Sequence, residues 1–512
     1  MSYLGLDIGT TGCKAAVFDA EGRVLALAYR EYPLLVPRPG WAEVDSARVC
    51  ADCRGAIQEA VALSRGDPVR AMGISCQGEA FTPVGRDGAM LGNGMVSSDA
   101  RAVDLVASFI RQFGARRLYD LTGHTPHPMF TLFKLLWLRR ERPDVFAAAG
   151  RFLCFEDLFH QQLGLEPAIS WPLAGRTMLF NVRSHRWDEE ILQAIQLDPA
   201  RLAQPRPSAS VVGTIPRRAA SELGLPKGVI LVAGGHDQPC GALGAGVVEP
   251  GVAMYASGTV ECICPVFEVP CFDEPLFRAN LCTYDSTLPG MYTTVMFSLT
   301  GGNLLRWFRD QWGQTEVAEA ARGGADPYDL LLRAMAPEPT DLLVLPYFTP
   351  SGTPYFDAQT PGAVLGLRLT TTRGQFLRAL IEGVALEMRL NLEILRESGL
   401  AVRELRAIGG GAKSTALVQL KADVLGRPIA TLAVTEAGCL GVALLACAAH
   451  RVAAPRELVD LWVKPGVVVE PDPRRAARYD ERFGVYRELY PAVRDAWKRL
   501  RDPRHGPTNL DK

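Results

Sequence analysis

Twice in this chain, at its start and again near its midpoint, an apolar strand pattern enters a turn of glycine and threonine and leaves as a second strand. The first copy runs Tyr3-Leu4-Gly5-Leu6-Asp7-Ile8, then Gly9-Thr10-Thr11-Gly12, then Cys13 to Phe18, with a third strand expected over Arg23 to Tyr29. The second runs from Val252 into Gly258-Thr259 and on from Val260 to Val266. Such a turn offers backbone N–H groups and hydroxyls to phosphate oxygens, and Lys14 stands close behind the first one. A hairpin turn that simply needs glycine explains either copy taken alone. The duplication points further, to two domains of related topology that face each other across a cleft and hold one polyphosphate between their turns. The 512 residues exceed a single core. Glu249-Pro250-Gly251 marks a boundary, which divides the chain into 1–248 and 249–512.

Between the two turns lies Leu231-Val232-Ala233-Gly234-Gly235-His236-Asp237-Gln238. A buried strand ending in two glycines places Asp237 at the carboxyl end of a strand, where open α/β sheets collect their ligands. The glycines, lacking Cβ, would let backbone approach a ligand closely. A carboxylate there can be a general base, a magnesium ligand or only the N-cap of the next helix, whose first turn Pro239 suits.

Other stretches are placed by pattern. Asp45 to Ser64 reads as an amphipathic helix and Val69 to Ser75 as a strand, followed by Cys76-Gln77-Gly78-Glu79-Ala80. Gln77 and Glu79 could bind a polyhydroxylated ligand or merely be solvated. Ser97-Ser98-Asp99-Ala100-Arg101 is a similar cluster, open between ligand, ion pair and cap. Met129 to Arg140 reads as a core helix with one internal lysine, Lys134, stopped by Pro143. Phe152 to Phe180 cannot be divided by eye. Ser298 to Asn303, with Gly301 and Gly302, leads into a helix from Leu304 to Trp312 whose N-terminus suits an anion. Leu342 to Phe348 reads as a buried strand and Arg373 to Leu395 as a long helix. Leu405 to Ser414 is strand, triple glycine, helix. Gly409-Gly410-Gly411 also fits a dinucleotide site, but it lacks the GxGxxG spacing, so a wall for a nucleotide fits better.

Composition excludes more than it selects. With 55 basic and 56 acidic residues, a formal net charge of −1, and 48% hydrophobic residues, nothing points to nucleic acid or a membrane surface. No apolar run is long enough to span a bilayer and the N-terminus has no leader pattern, so a cytoplasmic protein is expected. The 12 cysteines are scattered and read as small buried hydrophobes. Cys50-x-x-Cys53 has redox or half-zinc spacing without a second pair. The polar tail from Pro503 to Lys512 is expected to fray.

With these stretches in place, the chain resembles the FGGY carbohydrate kinases of the actin/hexokinase/Hsp70 superfamily from about Tyr3 to about Ala449. Met129-x-Thr131-x-x-Lys134-Leu135-x-Trp137-Leu138-x-Arg140-Glu141 fits the family's first pattern. Gly362-x-Val364-x-Gly366-Leu367 and Gln375-Phe376-x-x-Ala379-Leu380-Ile381-Glu382 resemble its second, Leu380 being the departure. The resemblance implies an α/β protein of two actin-like (ribonuclease H-like) domains with a catalytic cleft between them. It also implies ATP and Mg²⁺ as cofactors. It makes Asp237 the base acting on a sugar hydroxyl and places Asp7, with Asp237, near Mg²⁺. Thr10, Thr11 and Thr259 become phosphate contacts, and Gly301, Gly410, Gly411 and Ala412 nucleotide-site positions. Lys14, Gly258 and Gly302 join these as expected ATP contacts from the turns that carry them. Gln77, Glu79, Asp99 and Gln238 fall where relatives contact the acceptor.

The acceptor is harder to read. Xylulose kinases of the family typically carry Met-His where this chain has Gly78-Glu79 and a Trp where it has Ser97; glycerol kinases carry Arg-Glu. The Gln77-Gly78-Glu79-Ala80 run looks closer to fuculokinase-like members, and a glycine in place of a bulky residue would admit a larger substrate. The expectation is a ketose such as xylulose, with fuculose, a polyol (glycerol, erythritol) or a sugar acid (gluconate) as alternatives. An actin- or Hsp70-like ATPase switch is the rival from another class. A homodimer is left open.

Overall fold

The computed structural model describes residues 1–64, 66–433 and 436–501; the tail from Pro503 to Lys512 lies outside the described residues. The first half of the chain builds a six-stranded sheet from β1 (Ser2–Ile8), β2 (Gly12–Phe18), β3 (Val24–Glu31), β4 (Val69–Cys76), β5 (Val211–Thr214) and β6 (Ile230–His236), in the order β5-β6-β4-β1-β2-β3. Helix α1 (Ser46–Leu63) starts where Asp45 accepts from the backbone N–H groups of Ala47 and Arg48. Helix α2 (Thr131–Glu141) and helix α3 (Asp237–Gly244) follow. Helix α2 ends ahead of Pro143, which also opens the next short helix, Pro143–Ala148, at the position where its missing N–H costs nothing.

The second half repeats the plan with β7 (Val252–Ser257), β8 (Glu261–Phe267), β9 (Tyr284–Asp285), β10 (Tyr292–Thr293), β11 (Met296–Ser298), β12 (Glu404–Ile408), β13 (Ile429–Leu432) and β14 (Pro465–Val469). Its order is β9-β10-β8-β7-β12-β13-β14, with β11 also paired to β8. Each sheet is built around an antiparallel hairpin, β1-β2 or β7-β8, followed by two parallel neighbours, β4 and β6 or β12 and β13. Helices α4 (Gly302–Trp312), α5 (Arg373–Glu397), α6 (Thr415–Leu425) and α7 (Ala437–Arg451) complete this half.

Two expectations change. Only Leu343–Leu345 of the stretch Leu342 to Phe348 forms strand, paired with Ala363–Leu365 outside the main sheet, because Pro346 offers no N–H to continue a ladder. The undivided stretch 152–180 resolves into the end of strand Ala149–Cys154, helix Phe155–Gln162 and short helix Trp171–Gly175. Cys50 and Cys53 are buried on α1. Among the described residues no helix is long and apolar enough to cross a membrane.

The halves are joined by α7, which comes late in the chain yet packs against α3 and against β1 and β4 of the first sheet. One apolar cluster runs from Tyr3, Phe18 and Val232 through Met254 and Cys264 to Leu440 and Leu445. Glycines permit the approach. A Cβ on Gly5 would lie 2.0 Å from the Cys439 carbonyl oxygen, and one on Gly73 2.4 Å from that of Val442. On the α3–α7 side, a Cβ on Gly441 would lie 2.0 Å from the Cys240 carbonyl oxygen and one on Gly244 1.9 Å from that of Ala437. Backbone cannot step aside as a side chain can. Gly441→Ala is therefore expected to destabilise the protein by about 2–3 kcal/mol, the upper range for overpacking. Urea unfolding followed by tryptophan fluorescence checks this, and a change within about 0.5 kcal/mol would contradict the close approach.

Candidate active site

Strand β6 delivers the central carboxylate. It lies parallel to β4, with Gly235 opposite Ser75 and His236 opposite Cys76. The two glycines serve packing rather than ligand approach: a Cβ on Gly234 would be 1.8 Å from the Ile74 carbonyl oxygen, and one on Gly235 2.6 Å from the Thr287 methyl. Buried Glu156 holds the same bend, accepting from the Gly234 N–H at 2.7 Å. Asp237 is the first residue of α3, and the N-cap is His236, so the capping role falls away. The helix N-terminus still favours negative charge there.

The Asp237 carboxyl is partly withdrawn from solvent. Its Oδ1 is shut off from solvent and has no hydrogen-bond partner, so the 32% exposure of the side chain falls on the rest of the group. Burial, then the charges of Asp7 and Glu79, push its pKa up to about 7, against the Gln238 hydrogen bond and the Arg176 charge. His236 Nε2 lies 3.1 Å from Oδ1, while its Nδ1 meets the Tyr284 hydroxyl at 2.8 Å. Burial and the nearby Arg176 charge keep that imidazole neutral. Asp7, whose pKa burial also raises, accepts from the Ser75 hydroxyl at 2.6 Å. A Cβ on Gly438 at the start of α7 would sit 3.1 Å from the Asp7 carboxyl. Among the described residues no group of three or more His, Cys, Asp or Glu could hold a metal. Two carboxylates, one with an orphaned buried oxygen, nevertheless suit Mg²⁺, which takes one or two protein carboxylates and fills its shell with phosphate and water.

Asp237 faces a cavity of about 220 Å³ with walls from both halves, among them Thr10, Gln77, Glu79, Arg176 and Gln238 on one side and Val260, Phe297 and Phe356 on the other. Gln77 donates to the Gly9 carbonyl at 3.0 Å and accepts from the Thr10 hydroxyl at 3.1 Å, tying the first Gly/Thr turn to the cavity. Gln238 accepts from the Cys262 thiol at 2.7 Å. Glu79 has a positive φ of 62° and pairs with the buried Arg176. Its carbonyl is held by the Thr131 hydroxyl at 2.9 Å and by Lys134 Nζ at 3.3 Å. Lys134 also donates to the carbonyls of Met95 and Val96, so this fully buried ammonium braces the loop, and burial lowers its pKa to about 8.

Two expectations about residues near Asp237 are corrected. Asp99 is not among the residues lining the cavity; it accepts from the Ala42 N–H at 2.7 Å and grips Arg101, whose guanidinium lies over Trp41 at 3.9 Å. Gly78 does not enlarge the cavity either. The space its side chain would take is filled by the His236 ring, 3.0 Å from a Cβ there, and by Arg176 Nε at 3.3 Å. Arg176 and His124, both lining the cavity, carry no sequence signal of their own.

A second cavity, of about 710 Å³, gathers Gly258, Thr259, Gly301, Gly302, Gly410 and Gly411. The turns interlock: Gly302 N–H donates to the Gly258 carbonyl at 2.9 Å and Asn303 N–H to that of Thr259 at 3.1 Å. A Cβ on Gly411 would lie 2.1 Å from Ser257 Oγ. Sequence reading missed the floor, where Lys421 donates to Glu261 and Ser257 at 2.6 Å each and Tyr255 donates to Glu261. Ala412 and Lys14 line an adjoining cavity of about 570 Å³ instead. Lys14 is engaged by Glu436 at 2.6 Å, which explains why it is not offered to the second cavity. Thr10 lines the Asp237 cavity, while Thr11 lines none of the three.

Comparison with known proteins agrees over nearly the whole length. Sequence models of the FGGY family of carbohydrate kinases match residues 2–244 with the N-terminal domain and 253–450 with the C-terminal domain. Xylulose kinase from Bacillus subtilis is 25% identical over 499 residues, covering 97% of this chain and 98% of that protein. Glycerol kinase from Leptothrix cholodnii is 31% identical over 477 residues, covering 87% and 90%. The crystal structure of xylulose kinase from Rhodospirillum rubrum superposes with a TM-score of 0.87 at 27% identity, over 97% of this chain and all of that one.

The turn contacts predict that Gly411→Ala weakens nucleotide binding by about tenfold or more, because Ser257 must move and Lys421 with it. Titration with a fluorescent nucleotide checks it, and an unchanged affinity would contradict the assignment of this wall.

Proposed function

The chain belongs to the FGGY family of carbohydrate kinases, an enzyme that phosphorylates a small sugar with ATP, and from that premise we propose that Asp237 is the general base and a ketose such as xylulose the acceptor. The observation that carries the reading is the Asp237 carboxyl itself: half-buried on the wall of a cavity built from both halves, with a buried oxygen that no protein hydrogen bond satisfies and a pKa pushed up to about 7. A sugar hydroxyl is a poor nucleophile at neutral pH, and a carboxylate positioned to take its proton as transfer proceeds contributes about 10²–10⁴-fold. The roles of the other site residues are part of the same proposal.

In it, Glu79, Arg176, Gln77 and Gln238 orient the acceptor beside Asp237. Gly258, Thr259, Gly301, Gly302, Gly410 and Gly411 wall the nucleotide, with backbone N–H groups and the Thr259 hydroxyl toward its phosphates. Asp7 and Asp237 would hold Mg²⁺, which neutralises charge on the phosphates when bound. The acceptor cavity has walls from both halves, so closing them together excludes water that would otherwise waste ATP. The division at 248/249 is proposed as the boundary between lobes, since every strand of the first sheet precedes it and every strand of the second follows. A polyol is the second reading, favoured by Glu79 and by the 31% identity to a glycerol kinase.

Asp237→Asn is expected to lower kcat by about 10²–10⁴-fold with the unfolding midpoint unchanged within error. A coupled ADP assay across ketoses, polyols and aldonates, with and without acceptor, measures it and separates a kinase from an ATPase switch. Near-normal sugar phosphorylation by the variant would sink the base assignment, and strong turnover without acceptor would favour the switch.

A further inference from the structure

Resting on the reading of the Asp237 cavity as the acceptor site, we infer that the acceptor is an uncharged polyhydroxylated sugar, and that the Arg176–Glu79 pair both reads its hydroxyls and excludes sugar acids. Arg176 is the one arginine or lysine among the described residues lining the cavity, whereas Glu79 and Asp237 are both acidic. His124 and His236 do not alter this balance. Each is deeply buried and engaged by an uncharged group, His124 Nδ1 donating to the Thr122 carbonyl at 2.8 Å and His236 Nδ1 meeting the Tyr284 hydroxyl at 2.8 Å. The Arg176 charge in turn is compensated: Nε and Nη2 both reach Glu79 Oε1, and the guanidinium lies over the rings of Phe130 at 5.1 Å and Tyr284 at 5.7 Å.

Both contacts fall on one carboxylate oxygen. That leaves Glu79 Oε2 and Arg176 Nη1 outside these two contacts, on two side chains that line the cavity. An acceptor and a donor side by side complement a hydroxyl, which both donates and accepts. A carboxylate can only accept, and it would meet a cation already neutralised by Glu79 with Asp237 close by. Like charges brought together in a desolvated site cost several kcal/mol. Gly78 completes the arrangement, because any larger side chain would press on Arg176 and His236.

The test compares acceptors that differ at one terminal carbon, hydroxymethyl in xylitol and carboxylate in xylonate, in wild type, Glu79→Gln and Glu79→Gln/Arg176→Met. Binding is read by calorimetry and turnover by ADP release. Wild type is expected to bind the neutral compound about tenfold or more tighter, and Glu79→Gln, which frees the guanidinium charge, to shift that ratio toward the acid by about tenfold or more. The double variant, with the pair replaced by uncharged groups, should raise the KM for the neutral acceptor while the KM for ATP stays put. A wild-type preference for the acid overturns the inference even if neither variant folds. So does a Glu79→Gln ratio equal to wild type. A wild type that binds with the expected ratio yet releases no ADP with any acceptor would overturn the kinase reading alone.

Discussion

Everything at the cleft depends on how near α7 comes to α3 and to the first sheet. Four glycines, Gly5, Gly73, Gly244 and Gly441, face carbonyl oxygens at distances no Cβ could share. That contact brings a helix from the far end of the chain beneath β1 and β4. It sets Gly438 against the Asp7 carboxyl, while α3, crossing α7, begins with Asp237. The two carboxylates therefore occupy fixed places on backbone that cannot shift, which is what a site tolerant of about 0.5 Å of error requires.

Rigid placement also explains the electrostatics. Asp237 is desolvated and sits within reach of the charges on Asp7 and Glu79, so its carboxyl holds a proton near neutrality more readily than an exposed one. Glu79 is compensated by Arg176 and its loop is braced by Lys134, a buried lysine whose three carbonyl partners stand in for a carboxylate. The Asp237 cavity thus carries one compensated ion pair beside the carboxylate, and the second cavity a set of interlocked glycine turns over the Lys421–Glu261 pair.

Local pattern carried much of this. The repeated strand–turn–strand units, the strand into Asp237 and the helices of the motif stretches all leave signatures of period and punctuation, because neighbours in sequence make them. The boundaries of β1, β2, β7 and α5 follow from residues a few positions apart. What could not be read was long-range. Arg176 lies 97 positions from Glu79, and its Nε reaches that carboxylate at 2.5 Å only in the folded chain. Lys421 lies 160 positions from Glu261. Asp99, placed by resemblance at the acceptor, turned out to spend its oxygens on Arg101 and Ala42. Lys14 met Glu436, 422 positions on. The glycines of β6 were legible as glycines, but whether the missing Cβ served a ligand or a neighbouring strand was not.

The central claim is that one carboxylate, on the wall of a cavity built from both halves, receives the proton of the attacking hydroxyl. A crystal structure of the ternary complex with a non-hydrolysable ATP analogue and the preferred acceptor measures this most directly. The account predicts an Asp237 carboxylate oxygen about 2.6–3.2 Å from the hydroxyl that faces the γ-phosphate, with Glu79 and Arg176 on the remaining hydroxyls. An acceptor bound outside that cavity, or one whose reacting hydroxyl meets another base while Asp237 points away, would contradict it.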